Sequence, residues 1–146
     1  MPPLAALLPH RPPMILLDAV LACDSASLVA TVTIRPTSLF LEAEGVPGHV
    51  GLEYLAQACG AFAGMRALRQ GEAVRIGFLL GTRRYIMYAP WFRLDERLTV
   101  SVSLGYRDEA MANFDGRIEI AGKLAAEARL TVYQPRDAVQ DSGFQL

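Results

Sequence analysis

The stretch GVPGHVGLEYLAQACGAFAGM, residues 45–65, constrains the fold of this chain more than any other. It opens with a Pro-Gly turn and then runs almost wholly apolar, and the helix that it begins is predicted to end at Arg69, before Gln70 and Gly71. A helix that is apolar almost all round is buried almost all round. Its many alanines and glycines would let sheet backbones approach closely. The pattern therefore predicts one long, central helix over residues 48–69.

Strand-like stretches flank this helix on both sides. Two precede it and predict a hairpin, and four follow it, with the alternation of apolar residues clearest in the second of those four. The six stretches are residues 14–24, 27–36, 75–89, 97–107, 112–122 and 123–135, with Gly122 at a tight turn between the last two.

This order predicts an α+β fold in which a curved antiparallel sheet of about six strands wraps one long central helix. One domain would span residues 1–135, and residues 136–146 would form a loosely ordered tail. Such a sheet covers only part of the helix and leaves strand edges unpaired. We therefore expect a dimer with a shared sheet, formed with an identical or a different chain.

The composition argues against several classes of function. The 146 residues carry a net charge of −1 without a basic run, so nothing favours nucleic-acid binding. Cys23 and Cys59 are far apart in sequence and the two histidines are scattered, so no metal site is expected. The sequence shows neither a signal peptide nor a stretch apolar enough to span a membrane, which predicts a cytoplasmic protein without membrane contact.

Three polar residues interrupt the apolar helix at intervals of four: His49, Glu53 and Gln57. Residues four apart lie on one face of an α-helix, so the three are predicted to form a column. The helix N-terminus would favour neutral His49 as a base, and burial would favour protonated Glu53 as an acid. Amides near Gly48 and Val50 would bind a carbonyl oxygen. A structural interpretation is also open, because Glu favours a helix start and Gln can satisfy backbone groups.

Three stretches are also informative as whole motifs. They are LLPHRPPMILLDAVL (residues 7–21), PGHVGLEYLAQACGAFAG (47–64) and GFLLGTRRYIMYAPWFRLDERLTVSVSL (77–104). In this order they resemble the bacterial β-hydroxyacyl-acyl carrier protein dehydratases, over about residues 4–135. More narrowly, the chain is similar to small dehydratases of this type associated with aryl polyene pigment clusters. The resemblance implies the hotdog fold, a dimer, and elimination of water from a (3R)-hydroxyacyl thioester in fatty acid or polyene synthesis.

The resemblance implies roles for individual residues. Glu53 matches the acid of the family and Gln57 matches its glutamine. The backbone of Gly48 and Val50 matches the helix start that polarises the thioester carbonyl. Acid–base chemistry on these groups would need no metal or redox cofactor.

The expected partner is an acyl carrier protein, because the resembling enzymes act on substrates carried by its phosphopantetheine. Arg83 and Arg84 are candidate contacts for that acidic partner. Paired arginines are also typical of a solvated strand face, and this interpretation stays open beside the first.

The catalytic histidine of the family has no counterpart at its usual place. The resembling enzymes carry it in a Gly-His-Phe-Pro-Gly loop, and the matching position here falls near Leu39 or Phe40. The base is then His49, His10 or a histidine of a partner chain. Three functions stay open: a dehydratase, a half-site or non-catalytic subunit of a heterodimeric dehydratase, and a thioesterase that uses Glu53 to activate water. The Leu-Pro-His-Arg start favours the dehydratase.

Overall fold

The computed structural model describes residues 2–8, 14–72, 79–108 and 111–133. These residues form α1 (Leu4–Leu7), β1 (Ala19–Cys23), β2 (Ser27–Thr33), β3 (Val46–Pro47), the 3₁₀ turn Gly48–Val50, α2 (Gly51–Arg69), β4 (Leu79–Met87), β5 (Trp91–Phe92), β6 (Arg97–Arg107), β7 (Met111–Ile120) and β8 (Lys123–Tyr133). The order confirms the predicted hairpin, the long helix and the strands that follow it. His10 and the predicted tail over residues 136–146 lie outside the described residues.

Six strands form one antiparallel sheet in the order β1-β2-β6-β7-β8-β4. Between β7 and β8 the backbone is left-handed at both Ala121 (φ 51°) and Gly122 (φ 80°), the pattern of a type I′ hairpin turn. This confirms the tight turn predicted at Gly122. The separate β3–β5 pair escaped prediction, because two residues per strand are too few to show a period.

Helix α2 packs against the inner face of the sheet, as its apolar surface predicts. Leu55 and Ala58 are fully buried, and the ring of Phe62 meets Phe114 of β7 edge-on, with centroids 5.4 Å apart. A Cβ at Gly116 of β7 would lie 2.9 Å from Leu55 Cδ2, so the glycine lets the helix approach the sheet. In the described part of the chain, no helix has the length and apolarity that a membrane span requires.

The outer strands of the sheet are β1 and β4. Among the described residues, β1 pairs only with β2 and β4 only with β8. An unpaired strand edge is a template for another chain. Strand β4 also reaches the start of the helical segment, because the Tyr85 hydroxyl donates a hydrogen bond to the Gly48 carbonyl. The open edge and the helix start therefore lie side by side.

Gly64 of α2 lies against the backbone of Leu7 in α1. A Cβ at residue 64 would overlap the Leu7 carbonyl oxygen and lie 2.9 Å from the Leu7 Cα. Because backbone must move to make room, we expect Gly64→Ala to lower the free energy of unfolding by about 1–3 kcal/mol in urea denaturation. Gly105→Ala is the control, since its Cβ would approach only the Asn113 carbonyl oxygen, at 3.6 Å. Equal losses in the two variants would contradict this expectation.

Candidate active site

The side chain of Gln57, on α2, is fully buried. Its Nε2 donates to the carbonyl of Met14 at 2.7 Å, and its Oε1 accepts from the backbone N–H of Leu16 at 2.8 Å. These bonds tie the chain before β1 to the helix. The strand therefore begins at Ala19 and not at Met14, where the apolar run predicted it to begin.

Glu53 lies one helical turn before Gln57 on the same face of α2, and its side chain is half buried. Its Oε1 accepts a hydrogen bond of 3.4 Å from Gln57 Nε2. Because Gln57 is anchored by two backbone groups, this contact restricts the orientation of the Glu53 carboxyl group. The structure thus brings together two members of the column predicted from spacing.

His49, the third member of the predicted column, is exposed. It lies in the 3₁₀ turn Gly48–Val50 and not in α2, which begins at Gly51. A 3₁₀ turn has three residues per turn, so spacing by four does not place residues on one face there. The predicted three-membered column is therefore a pair, Glu53 and Gln57, with an exposed histidine before it.

The backbone of Gly48 is held on both sides. Its N–H donates to the carbonyl of Pro90 at 2.8 Å, and its carbonyl accepts from the Tyr85 hydroxyl at 2.6 Å and from the Gly51 N–H. The Gly48 N–H was predicted to bind a thioester oxygen, but in this structure the Pro90 carbonyl already occupies it. Helix-end donors for a ligand must then come from amides after Gly48, a region that includes Val50, whose side chain is buried.

Tyr85 is the residue of this region that sequence reasoning missed. It lies in a strand that was predicted, but no motif marks it. A signal was present at Gly51, a glycine in the first turn of a long helix, where helix propensity disfavours it. A Cβ at Gly51 would overlap the Tyr85 hydroxyl, so this glycine makes room for the phenol.

Two phenols lie near the helix start, the buried Tyr54 and the half-buried Tyr85, and neither is an acid near neutral pH. Burial raises the pKa of Tyr85 to about 12. Burial, with the nearby Asp18 and Tyr85, raises the pKa of Tyr54 to about 12. Both hydroxyl groups therefore keep their protons at physiological pH and can act as hydrogen-bond donors. The Tyr54 ring also packs on Phe92, with centroids 5.9 Å apart.

Arg83 and Arg84 are both exposed on β4, beside a bulge between Thr82 and Arg84. Successive residues of a strand face opposite sides of the sheet, so Arg84 faces away from the side on which Tyr85 meets the helix. Arg84 also lies opposite the exposed Arg129 of β8. This position, exposed and opposite another arginine, fits a solvated strand face, and the carrier-protein contact stays a prediction.

We expect Gln57→Met to lower the free energy of unfolding by about 1–3 kcal/mol in urea denaturation. Methionine has a similar size but cannot bond the Met14 carbonyl and the Leu16 N–H, which are then left without this partner. Gln70→Met, at an exposed position after α2, is the matched control and should change stability by less than about 0.5 kcal/mol. A Gln57→Met variant as stable as this control would show that the two bonds contribute little.

Comparisons with known proteins agree on one family of dehydratases. The model of the ApeP-like family, described as ApeP dehydratase, matches residues 2–142. The 3-hydroxyacyl-[acyl-carrier-protein] dehydratase FabZ of Streptococcus pneumoniae serotype 4 is 30% identical over 129 residues, which cover 85% of this chain and 89% of the relative. FabZ of Chlamydia caviae is 32% identical over 132 residues, which cover 86% of this chain and 84% of the relative.

Solved structures agree with this assignment. The dehydratase heterocomplex ApeI:P from Xenorhabdus doucetiae contains a chain 28% identical to this one, with a TM-score of 0.88 and 97% of each chain covered. The E. coli PaaI protein from the phenylacetic acid degradation operon is 17% identical, with a TM-score of 0.62 over 81% of this chain and 82% of that one, and supports the fold alone. The hotdog fold and the dehydratase resemblance expected from the sequence are thereby confirmed. The chain belongs to the ApeP-like family of dehydratases.

Proposed function

We propose that this chain supplies the acid half of a 3-hydroxyacyl-acyl carrier protein dehydratase, in an assembly with a second hotdog chain. The observation that carries the proposal is the placement of Glu53, which is half buried near the start of α2 and 3.4 Å from the anchored amide of Gln57. The FabZ relatives are named as dehydratases of this substrate class, which supports the same class here. The substrate is then a (3R)-hydroxyacyl thioester carried on phosphopantetheine, in fatty acid or polyene synthesis.

The proposed reaction removes water across two neighbouring carbons. A base takes the proton from the carbon next to the thioester carbonyl. The electron pair of that C–H bond forms the C=C bond, and the C–O bond to the hydroxyl breaks. Protonated Glu53 gives its proton to the departing hydroxyl, which leaves as water, while Gln57 orients the carboxyl group. Amides at the helix start stabilise the charge that develops on the thioester oxygen. This chemistry requires no metal or redox cofactor.

The base comes, in this proposal, from a histidine of the second chain. His49 is exposed, whereas abstraction of a carbon-bound proton is favoured in a site shielded from water. Phe40 stands near the place of the family's loop histidine, and a phenyl ring cannot take up a proton. The ApeI:P relative is a heterocomplex, which supports an assembly of two different chains. Strand β4 has no second strand partner in the part of the chain that the structure describes and lies next to the helix start, so its outer edge offers a place for the second chain.

The carrier protein and the cellular location belong to the same proposal. Exposed Arg83 and Arg84 are two cations within the strand that passes the helix start, and guanidinium groups suit the acidic groups of a carrier protein. The cytoplasmic location predicted from the sequence agrees with this partner.

The test is a dehydration assay on a 3-hydroxyacyl thioester, with the full chain alone and with a co-purified hotdog chain that carries the Gly-His-Phe-Pro-Gly loop. We expect little enoyl product from the chain alone and rapid formation with both chains. Glu53→Gln should lower kcat of the assembly by about 10²–10⁴-fold, because it removes the acid. Glu72→Gln, at an exposed position after α2, is the matched control, and His49→Ala should leave kcat within about twofold.

Three results would contradict the proposal. Full activity of the chain alone, abolished by His49→Ala, would make His49 the base. Release of free thiol without enoyl product would support the thioesterase. An assembly whose Glu53→Gln variant matches its Glu72→Gln variant would exclude Glu53 as the acid.

A further inference from the structure

The phenol of Tyr85 makes a specific contact with the helix start. Its hydroxyl donates to the Gly48 carbonyl at 2.6 Å across 37 residues of sequence. The space for this contact exists because residue 51 is glycine. A Cβ there would overlap the hydroxyl and would lie 2.8 Å from Ile118 Cδ1 and 3.0 Å from Phe92 Cζ. Glycine is a poor helix former, but at position 51 it leaves the space that the Tyr85 phenol occupies.

The segment after Tyr85 holds the other side of Gly48. The Gly48 N–H donates to the carbonyl of Pro90. A Cβ at Gly48 would lie 2.6 Å from the Ala89 carbonyl oxygen and 3.1 Å from the Pro90 carbonyl oxygen, so backbone closely approaches this residue. Both peptide planes that meet at Gly48 are therefore fixed, the first through its N–H and the second through its carbonyl.

The second of these planes carries the backbone N–H of His49. In a planar trans peptide the C=O and the N–H point in opposite directions. Tyr85 and the Gly51 N–H hold the Gly48 carbonyl on the side of the helix that follows it. The His49 N–H is consequently directed the other way, out of the helix end, where amides have no intrahelical acceptor.

We propose that Tyr85 is a positioning residue, which holds the Gly48 carbonyl and thereby aims the backbone N–H of His49 at the carbonyl oxygen of the bound thioester. This inference rests on the proposed function. It assigns to His49 a role for its backbone amide that does not depend on its exposed imidazole. A donor fixed before the substrate arrives stabilises developing negative charge better than one that must reorganise.

The chemistry of the phenol suits this task. Burial raises the pKa of Tyr85 to about 12, so the hydroxyl stays protonated and remains a donor across the physiological range. Since the Gly48 carbonyl keeps its bond from the Gly51 N–H, removal of the phenol hydroxyl loosens the peptide plane without unfolding the helix start.

The test compares Tyr85→Phe with wild type and with Tyr88→Phe. Tyr88 is the matched control, because its exposed hydroxyl also donates a hydrogen bond, to Glu127 at 2.5 Å, away from the helix start. Two stable ligands are titrated by calorimetry: an acyl-pantetheine amide, which has a carbonyl, and the corresponding alkyl thioether, which has none. The difference in affinity between them reports the carbonyl contact alone.

Wild type and Tyr88→Phe should bind the amide about tenfold more tightly than the thioether, and Tyr85→Phe should lose most of this preference while its thioether affinity stays unchanged. In the two-chain dehydration assay, Tyr85→Phe should lower kcat by about tenfold with little change in KM.

Several results would overturn the inference. One is equal weakening of both ligands in Tyr85→Phe, which marks a merely structural role. The others are an unchanged preference for the amide in that variant, or no such preference in wild type. Failure of the proposed function is distinguishable. A two-chain assembly that shows the Tyr85-dependent carbonyl preference but forms no enoyl product would disprove the reaction and keep the role of Tyr85 in thioester binding.

Discussion

The burial of α2 inside the curved sheet is the constraint on which the rest of the structure depends. Because the helix is apolar on nearly every side, the sheet must wrap it, and Gly116 lets the backbones approach. Such a helix tolerates few polar side chains. Within α2, all of which is described, Gln57 is the polar side chain that is fully buried, and it needs hydrogen-bond partners. The backbone at Met14 and Leu16 supplies them, and this fixes the path of the chain into β1.

The polar groups of the candidate site follow from the same constraint. A carboxyl group on a buried helix survives only where the sheet stops covering it, and Glu53 lies near the helix start, where cover is partial. One helical turn further along, the Nε2 of Gln57 donates to Glu53 as well as to the backbone carbonyl of Met14. One buried amide therefore serves the fold and restricts the orientation of the Glu53 carboxyl group. The structural and catalytic interpretations of Gln57 are compatible, because the side chain that satisfies the backbone also contacts Glu53.

Much of this arrangement is predictable from sequence because it depends on periodic patterns. The period of the helix and of the long strands places Glu53 and Gln57 on one face, and Gly122 marks its turn. What could not be predicted depends on local geometry or on distant contacts. A tightening of the first turn into 3₁₀ form removes His49 from the column. Tyr85 acts 37 residues from its acceptor, and no spacing rule connects the two.

The exposed imidazole of His49 and its fixed amide show that a residue at a helix start offers its backbone as well as its side chain. A histidine one turn before a glutamate suggests a base, yet its side chain is exposed. Its N–H, in contrast, belongs to a peptide plane held by the Tyr85 hydroxyl. Any residue at position 49 has this amide, whereas Gly48, Gly51 and Tyr85 are each required by the geometry around it. In the proposed site, the residues that hold the backbone therefore matter more than the exposed imidazole beside them.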